Sequence, residues 1–288
     1  MAARGTIITM LAEARRNQVA MIGFGISVFV VLAVALGPWI SPYDPLELDL
    51  TFMFILEAPS WDHPFGTDSF GRDVITRALY GARTSLMVSF IGVAIGGTAG
   101  TLIGMVSAYI GRSVDALSMR FVDLVFAFPI LALGIFLLLV LGSGIHSVIV
   151  TIAIIYIPNF ARLARNTTML VKEEPYVQAA KLMGQSTLRI LAREILPNIA
   201  GPMFVQLTVG FAFGIVIEAG LSFLGLGVQP PDVSLGTMMA EGKDYFMRGP
   251  WVVTFSGLTL TVIILGLNLM GDGLRDLLDP RLRRRTTV

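Results

Sequence analysis

The chain has 288 residues, 55% of them hydrophobic and only 14% charged, at a mean hydropathy of +0.76. Soluble globular chains are about a quarter charged, so this composition belongs to an integral membrane protein. The absence of cysteine excludes disulfides, thiol catalysis and thiolate metal sites. Two histidines, His63 and His146, are too few and too far apart for a histidine-based metal site. The net charge of +1 carries no message about nucleic acid, because the charges sit in separate loops.

Residues 1–18 hold Arg4, Arg15 and Arg16 against Glu13, with Ile7, Ile8, Met10 and Leu11 at roughly helical spacing. That pattern predicts an amphipathic helix on the inner membrane surface. Residues 19–40 are uncharged, apolar and long enough to span. A cleaved signal peptide with Ala33-Val34-Ala35 as its site is the rival, but the run exceeds the ~7–15-residue core of a signal. Residues 41–83 are polar, with seven acids, three arginines, and Pro42, Pro45, Pro59 and Pro64 keeping the first half irregular. From Arg72 an amphipathic helix is predicted, with Val74, Ile75, Ala78 and Leu79 on its apolar side.

The second span is predicted over residues 84–109. Gly92, Gly96, Gly100 and Gly104 recur at steps of four within it, a repeated G-x-x-x-G that lets another helix approach closely. An internal helix and a partner subunit both satisfy that stripe. Further spans are predicted over 124–141, 145–160, 200–224 and 251–270, with Gly142-Ser143-Gly144 as a tight turn between the third and fourth. The chain thus divides into an N-terminal segment 1–18, a membrane domain 19–272 and a basic tail 273–288, in an all-α, six-span polytopic fold. The N-terminus, the 111–123 loop, the loop after the fourth span and the tail carry sixteen of the 21 basic residues; the alternate loops carry five, against ten acids. The positive-inside rule then puts both termini and the loop after the fourth span in the cytoplasm. Trp39, Tyr43 and Trp251 fall at outer span ends, as interfacial anchors do. The Arg281–Arg285 cluster reads as a topology and headgroup anchor rather than a regulatory site.

The loop after the fourth span, residues 172–198, is the most informative stretch. Glu174 and Pro175 suit a helix start. Tyr176, Ala179, Ala180 and Met183 share one face, Gly184 offers a left-handed stop, and Ser186 caps a second helix predicted to end before Pro197. The segment therefore reads as helix, tight turn, helix, with two alanines where a close partner could seat.

Catalytic and nucleotide motifs are missing. Residues 236–244, GTMMAEGKD, depart from a phosphate-binding loop in spacing and put Asp where Ser or Thr should hold magnesium. A lone enzyme is excluded for want of a catalytic pair. A stand-alone ion-coupled carrier is disfavoured, because such carriers need charged groups inside their spans. Glu218 is the one acid within a predicted span. As a pathway or gate residue, with Ser222 beside it, it would face a cavity; as a group near a span end it would be hydrated or bonded to backbone. The glycines of residues 222–227 predict a helix break there.

Several strings resemble one family. Gln178-Ala179-Ala180, Gly184 and Ile195-Leu196-Pro197 resemble the EAA motif of bacterial ABC importer permeases, with Gln at the first position instead of Glu. The strings at 63–68, 71–73, 80–86, 115–117, 218–227, 271–276 and 279–281 resemble the C-type permease of the dipeptide/oligopeptide/nickel group. The resemblance implies a permease subunit forming half of a pore for peptides, with nickel or glutathione as alternative cargo. It implies as partners a second homologous permease, two ATPase subunits that bind ATP and magnesium, an extracytoplasmic binding protein and the bilayer of the bacterial inner membrane. It implies no cofactor or metal on this chain and no nucleic acid. On that resemblance Glu174, Pro175, Tyr176, Gln178, Ala179, Ala180, Gly184 and Pro197 form a coupling helix and its flanks, seated on an ATPase.

Overall fold

The computed structural model describes residues 18–46 and 55–278; the amphipathic segment predicted before residue 18 and the arginines from 281 onward lie outside the described residues. Nine helices are named here: α1 Gln18–Ile40, α2 Val74–Ile110, α3 Arg112–Phe126, α4 Ile130–Leu141, α5 Ile145–Val171, α6 Pro175–Leu182, α7 Thr187–Phe223, α8 Leu235–Lys243 and α9 Pro250–Leu278. Four of them, α2, α5, α7 and α9, are long and apolar enough to cross a membrane, and the α3–α4 pair makes a fifth if counted as one span. α1 contributes a shorter apolar run, Met21–Gly37.

The boundaries depart from the sequence expectations at several places: most of the expected 111–123 loop is helix α3, and α5 and α9 run on past the expected span ends at 160 and 270. The amphipathic helix expected from Arg72 and the span expected from residue 84 are one helix of 37 residues. Asp73 starts it by accepting the Thr76 N–H at 2.8 Å, and nothing in the interval is a breaker. The third predicted span is broken: α3 and α4 meet at 94°. Pro129 sits at the break, and the residue before a proline is driven out of helical geometry. The second helix of the 172–198 segment does not stop before Pro197. It runs on as α7, because residues Leu191–Ile195 widen into one π turn. Pro197 lacks an N–H and its ring crowds the carbonyl four residues back; the wider turn beside it makes the room a regular helix lacks.

Two apolar cores hold the bundle. One joins α2, α5, α6 and the start of α7 through Val93, Met105, Tyr156, Phe160, Val177 and Ile195. The other joins α1, the Val74 end of α2, α8 and α9 through Val34, Val74, Leu235, Met238, Val252 and Ile263.

The glycine stripe lies against α5. A side-chain carbon at Gly92 would stand 2.8 Å from the Ile152 Cβ, and at Gly100 2.9 Å from the Phe160 Cβ. At Gly96 and Gly104 it would collide with the carbonyls of Ala153 and Ala161. Backbone therefore meets backbone along the whole stripe, and the partner is a helix of the same chain.

Candidate functional site

The 172–198 segment is built outward from its buried side. Glu174 is extended and Pro175 opens α6, where its missing N–H leaves no helical bond unmade. Val177 and Ala180 turn inward and are each 2% exposed. Gly184 has φ +76°, a conformation that suits glycine, and its N–H donates to the Lys181 carbonyl at 3.0 Å while the Gln185 N–H donates to Ala180 at 3.2 Å. The chain reverses there, and α7 begins beside Ile190, which packs into the same core as Ala180. Ser186 occupies the position before α7, and its side chain makes no capping bond.

The alanine pair is split by this arrangement. Ala180 belongs to the protein interior, whereas Ala179 is exposed together with Tyr176, Leu182 and Met183, the last two at 88% and 72%. α6 thus presents a small, apolar face outward with a rigid floor beneath it. Polar bonds fix its root. The Gln178 amide donates to the Lys172 carbonyl at 2.8 Å, and the Lys172 ammonium donates to the Ala108 carbonyl at 3.0 Å. α6 is thereby tied to the last turns of both α5 and α2. Gln178 makes this bond as an N–H donor, a role an ionised carboxylate at the same position could not fill. Arg165 grips Asp115 through two bonds of 2.6 Å, and Arg162 reaches Asp123 at 2.6 Å, so α3 is locked onto α5 at this end.

Sequence reasoning missed a second polar cluster at the other end of the molecule. Asp68 accepts from Arg72 at 2.7 Å and lies 3.2 Å from Arg77. Both arginines reach the same oxygen of Glu241, at 3.1 and 2.8 Å. The cluster fastens the segment before α2 onto α8. Burial pushes the Glu241 carboxyl above the usual carboxylate range, Arg72 pulls it back and Asp68 adds to the rise. His63 stands 3.0 Å from Asp73. Trp251 donates its indole N–H to the Thr67 carbonyl at 2.9 Å, so it also clamps this segment onto the start of α9. The available signal was one acid and two arginines, Asp68, Arg72 and Arg77, at spacings that one helix start could gather, but the fourth member, Glu241, lies 164 residues beyond Arg77. Removing one partner of a buried ion pair costs about 3–5 kcal/mol, and the Arg77 and Asp68 side chains are 3% and 4% exposed. Arg77→Met is therefore predicted to lower the thermal midpoint of the purified protein sharply and to open the segment before α2 to protease; a midpoint and cleavage pattern equal to wild type would sink this account.

Glu218 is fully buried and lines neither the groove beside Trp39 and Phe211 nor the one beside Phe160 and Phe204. The Ser222 hydroxyl donates to it at 2.7 Å and itself accepts the Val228 N–H at 3.1 Å. Ser85 on α2 accepts the Leu235 N–H at 3.3 Å. Glu218 and Ser222 thus form a knot that binds the end of α7 to the loop after Gly225, while Ser85 binds α2 to the start of α8. Residues 236–244, set aside as a nucleotide loop, are mostly the helix α8 itself. Among the described residues no three His, Asp or Glu side chains group to hold a metal.

Residues 100–284 match the family model described as binding-protein-dependent transport system inner membrane component. The chain belongs to that family. It is a multi-pass membrane permease subunit of an ABC importer, and ATP hydrolysis is not its own task. Residues 9–59 match the model for the N-terminal membrane domain of oligopeptide transport permease C, which makes this a C-type permease. Among its relatives, the dipeptide transport system permease protein DppC of Alkalihalophilus pseudofirmus is 38% identical over 94% of this chain and 88% of its own length. The di/tripeptide transport system permease protein DppC of Pseudomonas aeruginosa is 39% identical over 93% and 89%. The glutathione transport system permease protein GsiD of Escherichia coli O1:K1 is 40% identical over 93% and 88%. A chain of the MetNI methionine ABC transporter in an inward-facing conformation shares the fold, with a TM-score of 0.57 over 70% of this permease and 96% of that chain at 18% identity.

Proposed function

We propose that this permease is half of the translocation pore of an ATP-driven importer of dipeptides and oligopeptides, and that α6 is the element through which the ATPases move it. The observation that carries the coupling role is the two-sided geometry of α6, in which Val177 and Ala180 are fixed in the core while Tyr176, Ala179, Leu182 and Met183 stand outward. An apolar helix face on a rigid floor suits insertion into a partner's groove. α7 starts three residues after Gly184 and runs 37 residues to the Glu218 knot. A push on α6 would so be delivered through one long helix to the far end of the bundle, in keeping with coupling carried by a rigid element between two states.

Six crossings complete the proposal. α1 has 23 residues, ~34 Å at the ~1.5 Å rise of a helix, enough for a ~30 Å hydrocarbon core; with α2, the bent α3–α4 pair, α5, α7 and α9 it makes six. The charge distribution supports cytoplasmic termini, a cytoplasmic α6 and an extracytoplasmic Asp68–Arg77–Glu241 cluster. The segment 1–18 and the tail 273–288 would flank the membrane domain 19–272 on the cytoplasmic side. The partners would be a second homologous permease, two ATPases carrying ATP and magnesium, and an extracytoplasmic binding protein. Glutathione is the second reading of the cargo, favoured by the similarity to the glutathione permease. In liposomes, the chain assembled with these partners is expected to take up labelled dipeptide only when ATP is supplied to the ATPases. Uptake by the chain alone under an ion gradient would overturn the proposal, and uptake of glutathione but no dipeptide would shift the cargo to the second reading.

A further inference from the structure

A groove of about 880 Å³ runs along the outside of the bundle between α1, α2, α7 and α9. Its walls are apolar, formed by residues such as Val31, Phe90, Phe211 and Leu267, and Trp39 and Arg83 mark one end while Ser27 marks the other. α1 and α2 are antiparallel here, and Gly37 lies against Leu79. Arg83, four residues along α2 from Leu79, therefore sits only ~6 Å deeper than Gly37 at the ~1.5 Å rise of a helix.

Arg83 is exposed in this groove. Arg72, Arg77, Arg162 and Arg165 all hold carboxylates, but among the described residues no acid faces Arg83. A guanidinium cannot shed its charge, and an unpaired one beside membrane-spanning helices is costly until it meets an anion or water. The twelve residue steps from Ser27 to Trp39 correspond to ~18 Å of helix. That is just over half the ~30 Å hydrocarbon core, the depth that one lipid chain occupies. A peptide laid along these walls would bring a backbone donor and acceptor with every residue and find almost nothing to satisfy them. A hydrocarbon chain brings none.

We propose that this groove is a binding site for an anionic phospholipid, with one acyl chain lying along the α1–α2 walls and the phosphate paired with Arg83 beside Trp39. The net-negative headgroup answers the charge that no described acid matches; a zwitterionic lipid already carries its own cation. Placing the site in the outer leaflet rests on the orientation proposed above, whereas the binding itself does not.

The test is native mass spectrometry of the full-length chain in detergent, delipidated and then titrated with phosphatidylglycerol or phosphatidylcholine. Wild type is expected to prefer phosphatidylglycerol by ~10-fold, the equivalent of one modest charge contact. Arg83→Gln should lose that preference and Arg83→Lys should keep most of it. Ala35→Trp, which obstructs the exposed mouth of the groove, should weaken both lipids. Equal phosphatidylglycerol binding by wild type and Arg83→Gln overturns the proposal. So does unchanged lipid binding together with a raised peptide concentration for half-maximal uptake in the assembled importer, which would give the groove to the cargo. Failure of the peptide-importer reading would appear in uptake assays and leave the lipid titration intact.

Discussion

Gly100→Leu is expected to abolish stable folding of the permease. The first added carbon would collide with the Ile157 carbonyl and stand 2.9 Å from the Phe160 Cβ and 3.0 Å from the Ala161 nitrogen. Two of these three obstacles are α5 backbone, so no rotamer change relieves them. The two helices would have to separate along a face where four glycines hold them together. Overpacking a well-packed interior typically costs ~1–3 kcal/mol, and a contact this long, at backbone distance, should cost at least the upper end. Gly25→Leu provides the control, since a side chain there meets nothing within 4 Å. Thermal unfolding of both variants in detergent is the measurement: a large drop for Gly100→Leu with little change for Gly25→Leu is expected. Equal midpoints would mean that the close approach of α2 and α5 contributes little.

The second large effect separates docking from folding on α6. Ala179→Glu is predicted to leave the permease folded while reducing ATP-driven uptake at least ~30-fold, the loss of one hot-spot contact of about 2 kcal/mol. Ala179 is exposed, so the new carboxylate stays in water until a partner tries to seat on it. Ala180→Glu should fail differently. Its side chain is buried with Val177 and Ile190, and a carboxylate there would be desolvated without a partner; the segment around α6 should loosen and the protein should accumulate poorly. Co-purification with the ATPases, together with a thermal midpoint for each variant, distinguishes the two. If Ala179→Glu retains both normal uptake and normal co-purification, α6 does not couple.

Much of the helical framework was legible in the residues. Long uncharged apolar runs, the glycine step of four, and the Glu-Pro start and Gly184 stop of α6 are local patterns, and local patterns dictate local geometry. The places that were misread are those where one residue's effect depends on its neighbours in space. Pro197 is a helix terminator by itself, yet the helix carries on through it just after a π turn. Pro129 was passed over inside an apolar run, although it separates two helices that meet at 94°. The bond between the Trp251 indole and the Thr67 carbonyl likewise joins residues 184 positions apart.

What the sequence determined by itself is that this is a helical membrane permease with a helix–turn–helix segment between two spans, because hydropathy, spacing and motif chemistry are written along one dimension. Which alanine of α6 faces outward, that Glu218 is buried and bonded to Ser222, that Arg77 and Glu241 meet, and that Arg83 meets no acid among the described residues were decided only by tertiary structure. Each of those depends on which surfaces of distant helices come together, and burial and pairing exist only once they have done so.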